Sequence, residues 1–311
     1  MTLLTVMDLC ISFPPGGQVV RGVSFSVGRG EIVGLVGESG SGKSLTCLSV
    51  AGLAGRRALV QGEIFWDGED ILPQSETQLT RLRGREIGMI FQDPVAALNP
   101  LRTVEAHFAE VLPRKTRRST AVDLLSAVGI REPERRLRQH PGELSGGIAQ
   151  RVGIALALAL EPRLLLADEP TTALDATIQA QVLGLLAALR ETRGLSILLV
   201  SHDLTMVADV CDRILVMYAG RIVEAASAEQ IVTAPAHPYT RSLLDARPER
   251  AEPGALLPVL EGAGRAEAPN GGCTFAPRCP RREALCVETQ PLLDLHVGAA
   301  CHRPLRQGYR R

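Results

Sequence analysis

The stretch Gly37-Glu38-Ser39-Gly40-Ser41-Gly42-Lys43-Ser44 constrains this chain more than any other. It fits G-x-x-x-x-G-K-[ST], after a short apolar run at 31–36 and before a segment of helical spacing at 43–54. A loop of this kind works only in that setting. Its glycines let backbone N–H groups curl around nucleotide phosphates, and the helix N-terminus adds partial positive charge. Lys43 would sit on the β/γ oxygens and the Ser44 hydroxyl on Mg²⁺, with Gly37, Ser39, Gly40, Ser41 and Gly42 completing the cradle. Of the 34 Lys+Arg, only Lys43 and Lys115 are lysine. A compact ammonium fits between phosphates where a planar guanidinium would not. An arginine-rich genome would leave the same count by coincidence.

Around this loop the pattern is α/β. Residues 3–9 and 19–27 read as strands separated by a Pro-Pro-Gly-Gly turn, followed by strands at 31–36, 63–66 and 86–91. Residues 93–160 are a helical insert, with helical spacing at 103–112, 120–128 and 148–160. Short apolar strands at 164–167, 196–200 and 213–217 then alternate with helices, which implies a mostly parallel sheet. The domain reading is one nucleotide-binding domain over 1–247, a Pro/Gly/Ala-rich linker at 248–270 and a cysteine-bearing tail at 271–311. So short a tail, poor in apolar residues, needs a metal or covalent staple to fold alone.

The strand at 164–167 ends in Asp168-Glu169. Asp168 can hold Mg²⁺ through water, and Glu169 can polarise an attacking water as general base. At Leu144-Ser145-Gly146-Gly147-Ile148-Ala149-Gln150-Arg151 the chain resembles the signature motif of ABC ATPases. Ser145 reads as a helix N-cap, and Gly146 and Gly147 leave backbone N–H groups uncovered at a helix start. The resemblance covers about residues 1–250 and implies a P-loop ABC cassette with a parallel core sheet, an antiparallel β subdomain and a helical subdomain. It implies that this helix faces the γ-phosphate held by a second cassette, so two subunits sandwich two ATP molecules. It also gives roles to Gln92 as the Q-loop glutamine that senses Mg²⁺, Ala173-Leu174-Asp175 as the D-loop, with Asp175 near the nucleotide, and His202 as the switch histidine. Phe13 is a candidate for stacking on adenine, or a core residue.

Ala236-His237-Pro238-Tyr239-Thr240-Arg241-Ser242-Leu243-Leu244, with Phe91-Gln92-Asp93-Pro94 and Leu98-Asn99-Pro100, resembles the oligopeptide/dipeptide-permease ATPases, a group that includes nickel and metallophore importers. The tail resembles that of the peptide-type subunits. Its cysteines, Cys273, Cys279, Cys286 and Cys301, are separated by five, six and fourteen residues, without the tight pairs common in structural zinc sites. Some members of the family carry a [4Fe–4S] cluster on four such cysteines; zinc or free thiols are the other readings. Cys10, Cys47 and Cys211 read as small core residues, and His296 and His302 as surface positions that could substitute as ligands.

The formal net charge is zero, which argues against a nucleic-acid partner. No apolar stretch approaches the ~18–20 residues that cross a bilayer, and residues 1–13 lack the features of a signal peptide. The expectation is a chain in the cytosol, on the inner face of the cell membrane. The resemblance implies as partners a related but different second cassette, two transmembrane permeases and a periplasmic or extracellular solute-binding protein. The rival readings are a soluble ABC ATPase acting on ribosomes or DNA, and a tail that makes the chain partly a redox or metal-responsive regulator.

Overall fold

The computed structural model describes residues 1–172, 174–246 and 271–305. The expected linker at 248–270 and Ala173 of the D-loop stretch lie outside the described residues. Two compact units make up the described chain. One comprises Met1–Leu3, Val27–Ile32 and Pro73–Val200; the other comprises Leu4–Ser26, Val33–Leu72 and the described residues from Ser201 on.

The second unit holds most of β1 (Thr2–Phe13) and β2 (Gly17–Gly28), both longer than the sequence suggests, and of β3 (Ile32–Val36), whose five residues are all buried. Helix α1 (Lys43–Val50) stops four residues before the expected end. Gly52 turns left-handed (φ 66°), and Gly52 N and Leu53 N donate back to Ser49 O and Leu48 O. This Schellman arrangement satisfies the last carbonyls and ends the helix. β4 (Leu59–Trp66) and β5 (Glu69–Asp70) complete an antiparallel sheet in the order β2-β1-β4-β5.

The first unit holds the helical insert. An unexpected helix, α2 (Glu76–Leu82), is started by a Ser75–Gln78 capping box, a signal that is present in the sequence. After β6 (Ile87–Ile90) come α3 (Val104–Val111), α4 (Arg117–Ala127), a short α5 (Pro133–Leu137) and α6 (Gly146–Ala157). Then follow β7 (Leu164–Asp168), α7 (Ala176–Arg193) and β8 (Ser196–Ser201). β6 and β8 both pair with β7 in parallel, and β7 and β8 are buried throughout, as their unbroken apolar runs require.

The remaining chain returns to the second unit: α8 (Leu204–Ala208), β9 (Arg213–Tyr218), β10 (Arg221–Ser227), α9 (Ala228–Thr233), α10 (Pro238–Asp245) and, in the tail, α11 (Ala284–Glu288). β9 pairs with β3 in parallel and with β10 antiparallel. The tail has little core of its own and borrows one. Ala225 N donates to Gly298 O and Ala300 N to Val223 O, each at 2.8 Å, so residues 298–300 lie along β10. Cys47 and Cys211 are buried as expected, but Cys10 is only half-buried, because alternate residues of β1 face outward. Among the described residues no helix is long and apolar enough to cross a membrane.

Candidate functional site

The phosphate loop is shaped by how closely its backbone passes β9. A Cβ on Gly37 would stand 2.1 Å from Met217 O, and Gly42 has φ 104°, so neither position admits a side chain without strain. Lys43 is 3% exposed, and its Nζ donates to Gly37 O (2.8 Å) and Glu38 O (2.9 Å). The ammonium is thus held inside the curve of the loop by the loop's own carbonyls. Ser41 Oγ is buried with no hydrogen-bond partner among the described residues, a polar atom suited to a ligand oxygen. Ser39 and Gly40 are exposed, and Ser44 lies half-buried in the first turn of α1. Phe13 is half-buried at the last position of β1, and His202 is exposed just after β8. The next residue, Asp203, caps α8 through Thr205 N and Met206 N.

In the first unit, β7 delivers Asp168, 6% exposed, and then Glu169, whose φ of 46° turns the chain sharply out of the strand. Its backbone N–H still donates to Val200 O at 3.0 Å. The Glu169 carboxylate is held at Oε2 by two donors, Gln92 Nε2 at 3.1 Å and Thr172 Oγ1 at 2.9 Å. The structure therefore brings Gln92 and Glu169 together, a contact that the sequence does not indicate. Nothing in the sequence around Thr172 marks it for this contact. With Nε2 donating to Glu169, the amide oxygen of Gln92 is the atom left to meet a cation.

Ser145 occupies the N-cap position of α6 in extended backbone, but its side chain is exposed and makes no capping bond. Gly146 and Gly147 form the first turn; a Cβ on Gly147 would meet Ile178 Cγ2 at 2.9 Å, so the glycine lets α6 pass close to α7. Asp175, read as a nucleotide-side residue, is the N-cap of α7, its carboxylate accepting from Ile178 N at 3.0 Å. Beside Gln92, in the same unit, Met89, Phe91, Pro94, Leu98 and Leu156 line an apolar groove. Phe91 is 44% exposed there.

In the tail, Cys273, Cys279, Cys286 and Cys301 line one pocket with His237 and His302. Burial pushes the Cys301 thiol up to about 11, and burial also raises Cys273 and Cys279. His302 Nε2 lies 2.8 Å from Thr289 O, and His296 is exposed outside this pocket. Among the described residues no three His, Cys, Asp or Glu side chains converge closely enough for a single metal ion. His237 is buried, and burial holds it down to about 3, so it is neutral; Nδ1 accepts from Tyr239 N and caps α10. The carboxylate of Glu224, fully buried, accepts from Ala236 N and His237 N and so fixes the entry to that helix. These bonds explain locally why Ala236-His237-Pro238-Tyr239 begins a helix, with Pro238 in its first turn.

Residues 20–172 match the family described as ABC transporter, and residues 223–286 match the C-terminal region of oligopeptide/dipeptide transporters. The chain is 44% identical to the dipeptide transport ATP-binding protein DppD of Escherichia coli (strain K12), over 98% of each chain. It is 44% identical to the oligopeptide transport ATP-binding protein OppD of Mycobacterium tuberculosis (strain ATCC 25618 / H37Rv), over 97% of this chain and 52% of that one. Among solved structures it resembles cbiO1 of Clostridium perfringens, part of the ABC transporter complex cbiONQ (TM-score 0.66, 28% identity, covering 75% of this chain and 91% of that one). It also resembles the dimeric bacterial cassette MJ0796 (TM-score 0.65, 29% identity, 73% and 99%) and the post-hydrolysis state of that cassette bound to ADP and Pi (TM-score 0.65, 28% identity, 73% and 99%). A phosphate loop after β3, a held carboxylate after β7, and likeness to peptide-transport ATP-binding proteins along nearly its whole length lead to one conclusion: this chain belongs to the ATP-binding subunits of ABC transporters, in the oligopeptide/dipeptide branch.

Proposed function

We propose that this chain binds and hydrolyses ATP to drive uptake of di- and oligopeptides, from the cytoplasmic face of the cell membrane. The observation that carries the catalytic part is the Glu169 carboxylate, held by Gln92 and Thr172 directly after buried Asp168. A carboxylate so oriented can accept a proton from a water attacking the γ-phosphate. Lys43 and the backbone N–H groups of residues 37–44 grip the phosphates, and His202 contacts the γ-phosphate. Phe13 stacks on adenine. Mg²⁺ prefers oxygen ligands, which Ser44 Oγ, the Gln92 amide oxygen and, through water, Asp168 would supply. Bound there, it would neutralise charge on the β- and γ-phosphates. Ser145, Gly146 and Gly147 serve the ATP held by the opposite cassette, with Asp175 next to that interface.

The partners in this reading are a related second cassette, two membrane permeases and a solute-binding protein. The apolar groove beside Gln92 suits an apolar segment of a permease, which supports this reading. For the tail we infer a [4Fe–4S] cluster on Cys273, Cys279, Cys286 and Cys301. Four thiols line one pocket, the donor set that such a cluster takes. Bound, it would supply the staple that a core-poor tail needs.

Glu169→Gln tests the catalytic reading in the reconstituted transporter. The variant should bind ATP, accumulate as a closed cassette dimer and hydrolyse at least ~10²-fold more slowly, with peptide uptake lost. Near-wild-type hydrolysis would sink the assignment of the base, and uptake of other cargo without peptide uptake would sink the substrate.

A further inference from the structure

We propose that Arg278 of the cysteine-bearing tail is a positioning residue for the phosphate loop, acting through Glu38, so that the packing of the tail sets the affinity for ATP. The proposal rests on reading Gly37–Ser44 as the phosphate loop. Everything it uses lies within the second unit.

Glu38 is the first variable position of that loop. A carboxylate there is an electrostatic liability, because the loop must receive a polyanion and like charges oppose binding. Arg278 meets it with both arms: Nη1 donates to Oε2 at 2.9 Å and Nη2 to Oε1 at 3.0 Å. The Arg278 side chain is 4% exposed and that of Glu38 29%, so water screens this pair far less than an exposed one. A planar fork matched to a carboxylate also fixes orientation, which a single point contact does not.

The arginine is itself clamped. Its guanidinium stands over the Tyr218 ring, 5.7 Å from the centroid. Tyr218 packs against Tyr239 (4.7 Å) and Phe275 (5.2 Å). Tyr239 then returns to the loop, its hydroxyl accepting from Glu38 N at 2.9 Å. Glu38 is therefore held at backbone and side chain by α10 and the tail, two segments outside the nucleotide motifs.

The same segments wall the cysteine pocket. Phe275, Ala276 and Cys279 line it from the tail, and His237 and Pro238 from the start of α10. Arg278 stands between two of these residues, and its N–H donates to Phe275 O at 3.0 Å. Order in the pocket is thus order at Arg278, and through it at Glu38. Thermodynamic linkage makes the coupling reciprocal: if the packed tail favours ATP, ATP must favour the packed tail.

The experiment measures ATP affinity of the full chain with a fluorescent ATP analogue. Thermal unfolding verifies that each variant is folded. Arg278→Met, which keeps an apolar stem but leaves the Glu38 carboxylate without its counter-charge, should raise Kd about ten-fold. Adding Glu38→Gln to it should bring Kd back to within about three-fold of wild type, because the unpaired charge is gone. Arg278→Lys, which keeps charge and loses the fork, should fall between. Folded Arg278→Met with wild-type affinity overturns the proposal, and so does a double variant as weak as Arg278→Met. Lys43→Ala separates the two readings: if it still binds the analogue, the phosphate-loop reading fails as well. Independently of any variant, a non-hydrolysable ATP analogue should slow amide hydrogen exchange across residues 273–286 of the wild-type chain; unchanged exchange there overturns the coupling.

Discussion

Glu169 shows how much a single residue can be made to carry. A glutamate at φ 46° is conformationally costly, and such strain persists only where surrounding contacts over-determine it. Here they are the backbone bond to Val200 and the two side-chain donors, Gln92 and Thr172. Asp168-Glu169 and Gln92 were legible because each stands at the end of an apolar run in a recognisable order. Thr172 was not, since nothing in Pro170-Thr171-Thr172 says which hydroxyl will turn back on the carboxylate. Its role is positioning, and that gives a specific expectation. Thr172→Val keeps shape and removes one donor, so kcat should fall by about ten-fold while the KM for ATP stays within two-fold. A matched rise in KM would instead place Thr172 in nucleotide binding.

Element boundaries followed local chemistry more closely than apolar spacing did. Helix α1 ends where Gly52 turns left-handed, and α2 begins where Ser75 and Gln78 form a capping box. Both signals stand in the sequence, but short amphipathic stretches near a surface give weak periodicity, so α2 and α5 were not expected. Asp175 is the sharper case. Family resemblance implies a place at a subunit crossing, and in this chain its carboxylate also caps α7. The two roles separate by substitution. Asp175→Asn keeps a capping oxygen and should leave the thermal midpoint almost unchanged; Asp175→Ala should cost about 1 kcal/mol. Equal loss in both variants would mean that charge, not capping, is what α7 needs.

The tail and the cassette depend on each other more than a boundary near residue 270 would suggest. Residues 298–300 lie along β10, Phe275 packs among Tyr218, Tyr239 and His237, and Arg278 pairs with Glu38. A tail built this way is folded in part by its neighbours. If a [4Fe–4S] cluster fills the cysteine pocket, the anaerobically purified chain should contain about four irons with matching sulfide. Cys286→Ser should lose them, and its tail amides should exchange faster. A colourless, iron-free wild-type chain with a protected tail would remove the cluster and leave the thiols as packing residues.

Chemistry written into contiguous residues was determined by sequence alone. A glycine loop stands between strand and helix, two carboxylates close an apolar strand, and a Ser-Gly-Gly opens a helix. Each depends on backbone geometry within a few residues; their order along the chain implied the ABC cassette, and the segment at 236–244 with the cysteine tail implied its peptide branch. Tertiary structure alone decided which distant partners act on those groups. Gln92 reaches Glu169 across 77 positions, and Arg278 reaches Glu38 across 240. No local propensity encodes such pairs. They exist because packing of β9, α10 and the tail brings a guanidinium to the one loop carboxylate whose charge would otherwise oppose the nucleotide.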